Sequence, residues 1–263
     1  MRVAHEAPLS IFDKVQSVTD YDYALVHLFE ESEEYYNKFK KAVDNGRYVI
    51  LDNSIFELGK AFNMDDFADY VRLLKPSAYI VPDSLEDAVG TMANYLEWDE
   101  LYGDLPGEKI GVVQGSNLDD IISCYKFMEL SADKIAISFD YSFFQEQFPN
   151  EPTKYHSWVK GRQKLIDDLY NNNIINTNKP HHLLGCGLPQ EFAHYKKYKW
   201  IDTVDTSNPV VHGMAGIKYN KYKSDIYGLE DKISTKLFTM LNEQVANIDD
   251  VLYNIAKFKY NLL

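Results

Sequence analysis

Eight short apolar runs, separated by segments with helical spacing, constrain this chain more than any other feature. The runs fall at residues 2–5, 24–28, 48–51, 79–81, 110–113, 134–137, 182–184 and 203–204. Each is brief and apolar, without the alternation of a sheet that has one wet face. That is the pattern of strands covered on both sides. Between them, "EESEEYYNKFKKAVDNG" opens on a charged turn and closes at Asn45-Gly46. "NMDDFADYVRLLKP" starts at an Asn cap and stops at Pro76. In "SLEDAVGTMANYLEWDELYG", Ser84 is the expected cap, with Asp87 three residues on. The segments "SNLDDIISCYKFMELS", "TKYHSWVKGRQKLIDDLYNNN" and "LPQEFAHYKKYK" also read as helices, and a last helix is expected near 233–260. Residues 139–153, "FDYSFFQEQFPNEPT", read as a long aromatic loop of the kind that serves as a lid or binding loop.

Eight strands alternating with helices in 263 residues predict an α/β fold, a single-domain (β/α)8 TIM-like barrel over 1–263. An open doubly wound sheet would need a Gly-rich phosphate loop after its first strand, where "EAPLS" stands instead. No apolar run reaches the length of a bilayer span and "MRVAHEAPLS" is no signal peptide, so a soluble, cytoplasmic protein without a membrane partner is expected. Two cysteines, Cys124 and Cys186, exclude a disulfide framework and a four-thiolate zinc site.

The net charge of −13 argues against nucleic-acid binding by the surface as a whole. The charge is uneven. Residues 1–150 hold 12 Lys and Arg against 28 Asp and Glu, whereas residues 151–263 hold 15 against 12. A polyanion would lie against the C-terminal half, which carries Lys196, Lys197, Lys199, Lys218, Lys221 and Lys223. A plain solvated face explains the same lysines.

In a (β/α)8 barrel the C-terminal strand ends form the active site. Those positions hold His5-Glu6, His27, Asp52-Asn53-Ser54, Asp83, Gln114-Gly115, Ser138, Gly185-Cys186-Gly187 and Asp205-Thr206-Ser207-Asn208. Any one of them is explained as a turn former; the set reads as a site. Asp52, Asp83 and Asp205 come from three strands, which suits one carboxylate to be a nucleophile and another an acid/base. The same oxygens could hold Mg²⁺, but no His/Asp spacing demands a metal, and no cofactor is expected. His5, His27, His181, His182 and His212 are scattered and read as structural. Gly115, Gly185 and Gly187 would let backbone approach a flat ligand. Gln114 both donates and accepts, as a purine edge requires, and Asp83 would accept from an amino or ring N–H. Pro189 stands near the first turn of a helix whose N-terminus could hold an anion.

These segments resemble the tRNA-guanine transglycosylases. "LDNSIFE" at 51–57 is similar to that family's Asp-Ser-Gly-Gly-Phe-Gln, Asp83 in "VPDSLED" falls where the family has its base-recognising Asp, and "GVVQG" at 111–115 is close to its Gly-Ile-Val-Gln-Gly. "LLGCGLPQEF" at 183–192 resembles Met-Gly-Val-Gly-Thr-Pro, and "DTVDTSNP" at 202–209 resembles Asp-Met-Phe-Asp-Cys-Val-Leu-Pro. The resemblance implies base exchange on a nucleic acid, with Asp205 as the nucleophile at C1′ and Asp52 as the acid/base. It implies a base pocket of Asp83 and Gln114 on the base edge, with Asn53, Ser54, Gly115, Cys186 and Gly187 around it. Ile137 and Ser138 would supply backbone contacts, and Gly185 the floor. Phe56, Tyr141 and Phe143 could stack on a base. The family's tRNA enzymes carry a Cys-x-Cys-x-x-Cys…His zinc subdomain that this sequence lacks, its Gly-Gly is Ser54-Ile55, and its Thr-Arg after the proline is Val210-Val211. A compact, zinc-free chain looks more like the DNA 7-deazaguanine transglycosylases of phages and bacterial modification clusters. The expected partners are then DNA, ahead of tRNA, and a free 7-deazaguanine base, in a bacterial or phage-infected cell; self-association is left open. Two rivals keep the same residues: an N-glycosylase that ends with water, and a nucleotide-binding module without chemistry.

Overall fold

The computed structural model describes residues 1–219 and 240–262. Lys221, Lys223 and the 233–239 stretch of the expected last helix lie outside them. Eight strands form one parallel sheet: β1 (Arg2–His5), β2 (Asp22–Leu25), β3 (Val49–Asp52), β4 (Ala78–Ile80), β5 (Glu108–Val113), β6 (Lys134–Ile137), β7 (His181–Leu183) and β8 (Ile201–Thr206). Their order is β1-β8-β7-β6-β5-β4-β3-β2, so strands consecutive in the chain are neighbours except β1 and β2, which end the series. The helices are α1 (Phe12–Gln16), α2 (His27–Glu31), α3 (Glu33–Asp44), α4 (Ile55–Leu58), α5 (Met64–Leu74), α6 (Ala88–Tyr102), α7 (Leu118–Ser131), α8 (Ser142–Gln147), α9 (Lys154–Asn171), α10 (Asn208–Met214) and α11 (Ile248–Leu262). The alternation is that of the (β/α)8 barrel class, as the sequence predicts. Among the described residues no helix is long and apolar enough to cross a membrane.

The chain divides into two compact units, residues 21–137 with 179–182, and residues 1–20 with 138–178 and 183–263. The first of these carries β2 to β6, in parallel register Leu25↔Asp52, Leu51↔Tyr79, Ile80↔Ile110 and Val113↔Ile137. Phe67, Tyr79 and Trp98 pack at its core, each pair involving Trp98 with ring centroids 5.5 Å apart. The expected cap Asn63 accepts the N–H of Asp66 (3.1 Å), and Asn117 caps α7 by accepting the N–H of Asp120 (3.0 Å). Two expectations are corrected. The second strand begins earlier, because Arg47 neutralises Asp22 with bonds of 2.6 and 3.0 Å and lets a carboxylate open a buried strand. His27 consequently starts α2 and does not end a strand. The cap of α6 is Asp87, which accepts from the Gly90 N–H at 2.9 Å; Ser84 lies in the preceding turn.

In the other unit β1 pairs with β8 from Arg2↔Thr203 to His5↔Thr206. Ala7, Ile11, Val15, Val210, Val251 and Ile255 form a buried apolar cluster there. The helix expected at 188–199 is a 3₁₀ helix, Pro189–Lys197. Its tighter winding sets Pro189, Phe192 and Tyr195 on one edge, and all three are buried. The 139–153 stretch is not an open loop: α8 forms within it, with Tyr141 and Phe144 buried and their rings 5.0 Å apart.

Candidate functional site

Asp52 is the last residue of β3, and its carboxylate is held at both oxygens. The Tyr23 hydroxyl donates to Oδ2 at 2.5 Å, and the Ser54 N–H donates to Oδ1 at 2.5 Å. Register explains the first bond. Asp52 lies opposite Leu25, so Tyr23, two residues back on the same face, is its diagonal cross-strand neighbour. The Tyr23 ring stacks in turn on His182, with centroids 5.7 Å apart. Ser54 adopts a left-handed backbone, φ 61, a costly conformation for a residue with a Cβ. Its hydroxyl accepts the His27 N–H at 3.3 Å.

Asn53 reaches toward the end of β4. Its Nδ2 donates to Asp83 Oδ1 (2.8 Å) and to the Val81 carbonyl (3.2 Å). Gln114, directly after β5, donates from Nε2 to Asp83 Oδ2 at 2.7 Å. Both amides are locked in orientation, because Asn53 Oδ1 accepts the Ile55 N–H (3.0 Å) and Gln114 Oε1 accepts the Glu86 N–H (3.0 Å). Asp83 is buried, and its two amide donors are polar but uncharged. Nearby, Cys124 accepts the Gln114 N–H at 3.4 Å, and burial pushes its thiol up to about 11, so it is no nucleophile at neutral pH.

In the other unit Asp205, near the end of β8, accepts the Gly185 N–H at Oδ1 (3.0 Å). Gly185 has φ +61, and a Cβ there would lie 2.6 Å from the Phe139 ring, so this turn requires glycine. Behind it Arg162 of α9 is fully buried. It donates to the carbonyls of Leu184 (2.7 Å) and Gly185 (3.1 Å), and pairs with Glu191 through Nε (2.6 Å) and Nη2 (2.9 Å). Burial alone would lower the Arg162 pKa, but the Glu191 carboxylate outweighs it and holds the guanidinium charged. The Tyr195 hydroxyl adds a 2.7 Å bond to Glu191.

The structure thus brings Asn53, Asp83 and Gln114 into one network, joins Asp52 to Ser54, and joins Asp205 to Gly185. Ile137 is buried at the end of β6; Ser138 follows it, donating to Asp140 at 2.6 Å. Cys186 is buried, and Gly187 lies beside Val159. Gly115 has another use than the one expected. A Cβ there would lie 2.8 Å from the Ile121 nitrogen, so its smallness lets the turn pack on α7. Phe56 is exposed on α4, whereas Tyr141 is a buried strut whose hydroxyl accepts the Ser138 N–H at 3.3 Å. Sequence reasoning missed Tyr23, Arg162, Glu191 and Tyr195. Arg162 left a signal: it sits on the stripe Trp158, Arg162, Leu165, Leu169, where a charge interrupts apolar helical spacing. Among the described residues no group of three or more His, Cys, Asp or Glu could hold a metal ion. No protein-family model matches the sequence, and no curated protein matches it significantly.

Proposed function

We propose that the protein is a nucleic-acid base-exchange transglycosylase that replaces guanine by a 7-deazaguanine, with DNA favoured over tRNA. The observation that carries this reading is the Asn53–Asp83–Gln114 network. A carboxylate oxygen that accepts one amide N–H keeps lone-pair capacity for another donor. Asp83, fixed at both oxygens by amides that cannot flip freely, is built to accept the adjacent N–H groups of a guanine-like edge. The order of the five motifs along the chain supports the same reading. In it, an Asp205 oxygen bonds to C1′ as the C1′–N9 bond breaks, and guanine leaves with its N9 protonated by Asp52. The incoming base returns its N9 proton to Asp52 and attacks C1′, which frees the Asp205 carboxylate. Tyr23 and the Ser54 N–H orient Asp52 for proton transfer, and the Gly185 N–H orients Asp205.

The test is to incubate the chain with guanine-containing DNA or tRNA and a labelled 7-deazaguanine base. Label entering the polymer, together with a glycosyl adduct on the Asp205 peptide in trapped samples, is the expected result, and Asp205→Ala should abolish both. Abasic sites without incorporation would replace exchange by hydrolysis. Neither adduct nor base loss with either polymer refutes the reading.

A further inference from the structure

We infer that Arg162 is a positioning residue for Asp205, acting through the single peptide that joins Leu184 to Gly185; this rests on the base-exchange reading for its catalytic consequence. The carbonyl of Leu184 and the N–H of Gly185 belong to one planar trans peptide, so they point in opposite directions. Arg162 Nη1 holds the carbonyl end at 2.7 Å, and Asp205 Oδ1 takes the N–H end at 3.0 Å. Rotating that peptide would break both bonds at once. The guanidinium also grips the next carbonyl, Gly185 O, at 3.1 Å, so two successive peptides are fixed. A charged donor on the carbonyl polarises the peptide and strengthens its N–H as a donor to the carboxylate.

The clamp is itself immobilised. Glu191 takes Nε and Nη2 of Arg162, Tyr195 braces Glu191, and the Phe139 and Phe192 rings lie with centroids 5.9 and 5.6 Å from the guanidinium carbon. Phe139 also occupies the space a Cβ at position 185 would need. Arg162 does not bond to Asp205 in this network. Its influence passes through the backbone, which distinguishes it from a group that touches a reacting atom.

Removing Arg162 alone strips the buried Glu191 of its counter-charge and threatens the fold. The test therefore uses R162K, which keeps the charge but loses the fork, and the charge-neutral pair R162Q/E191Q. The sequence contains two Leu–Gly pairs, 58–59 and 184–185. Labelling leucine carbonyls with ¹³C and glycine nitrogens with ¹⁵N therefore isolates the Gly185 amide beside Gly59 as an internal control. Both variants should move the Gly185 amide proton upfield and speed its exchange with D₂O about tenfold or more, leaving Gly59 unchanged. Exchange activity should fall about tenfold to a hundredfold in kcat with KM nearly constant, and R162K should keep more activity than the double variant. An unmoved Gly185 amide overturns the clamp whatever the chemistry. An altered amide with unaltered kcat overturns its catalytic role. A wild-type chain without exchange overturns the base-exchange reading and with it that role, while the Gly185 amide still decides the clamp.

Discussion

Asp83→Asn probes the network that carries the functional reading. Asp83 accepts from Asn53 Nδ2 at 2.8 Å and from Gln114 Nε2 at 2.7 Å. An asparagine keeps one acceptor oxygen and turns the other position into a donor, which then faces an N–H. Neither neighbour can flip without loss, because the Ile55 and Glu86 N–H groups hold their amide oxygens at 3.0 Å. One hydrogen bond to a charged acceptor disappears, a loss of about 1.5–3 kcal/mol, and relief from burying a charge offsets part of it. A net destabilisation of about 2 kcal/mol lowers the Tm by roughly 4–8 °C in a chain of this size. Thermal unfolding followed by circular dichroism measures it. The geometry also supplies a rescue. In Asp83→Asn/Gln114→Glu the new Nδ2 donates to the new carboxylate, Asn53 keeps its acceptor, and Glu86 keeps its partner. The double variant should recover more than half of the lost stability yet show no base exchange, since position 83 no longer offers a carboxylate to the base. A single variant within about 1 °C of wild type, or a double variant less stable than the single, refutes the hydrogen-bond argument. A double variant that still exchanges bases removes Asp83 from base recognition.

Tyr23→Phe removes the 2.5 Å hydroxyl from Asp52 and should destabilise the chain by about 1.5–3 kcal/mol while slowing exchange more through kcat than KM; unchanged urea unfolding and unchanged kcat would count against an orienting role. The pH dependence of stability follows from two buried histidines, His5 lowered to about 3 and His181 to about 4, each chiefly by burial. Both are neutral in the fold, whereas the unfolded chain binds protons below about pH 6.5, so stability rises with pH across that window and is lost as pH falls toward 4. Each should contribute about 2 kcal/mol to the loss between pH 7 and 5, and urea titrations of His181→Gln at pH 7 and pH 5 should show a smaller drop than wild type; an equal drop refutes the assignment.

The fold was legible because a short apolar stretch marks most strands, β3 and β6 most plainly, and α3 and α5 keep an amphipathic stripe, even though β2 and β8 carry carboxylates and α6 exposes Val89, Leu96 and Leu101. Boundaries failed where a polar side chain is neutralised from afar. Asp22 reads as a turn residue until Arg47, distant in sequence, pairs with it. The 3₁₀ winding at Pro189–Lys197 escaped because three-residue and four-residue spacing overlap over so short a segment. Strand-end carboxylates were visible as residues, but their partners were not. Tyr23 lies within a strand where aromatics belong on packing grounds, and only the pairing of β2 with β3 shows that its hydroxyl meets Asp52. Arg162 interrupts an apolar helical stripe, but its partner Glu191 reads as an ordinary helix-surface residue, and their pairing depends on the chain between them folding back.

The stretch Asp52-Asn53-Ser54 shows why turn chemistry and site chemistry need not compete for the same residues. Each of the first two side chains has two polar ends, and the structure uses one end for each purpose. Asp52 Oδ1 takes the Ser54 N–H and Asn53 Oδ1 takes the Ile55 N–H, the pattern by which such residues end strands. That leaves Asp52 Oδ2 for Tyr23 on one side and Asn53 Nδ2 for Asp83 on the other. A strand terminated by Gly or Ser would turn equally well but would fix neither carboxylate. The left-handed backbone of Ser54 lies between Asn53 and the Ile55 N–H, the pair that closes the second of these turns. Its cost is carried by a turn that fixes the carboxylates of Asp52 and Asp83 with one set of hydrogen bonds.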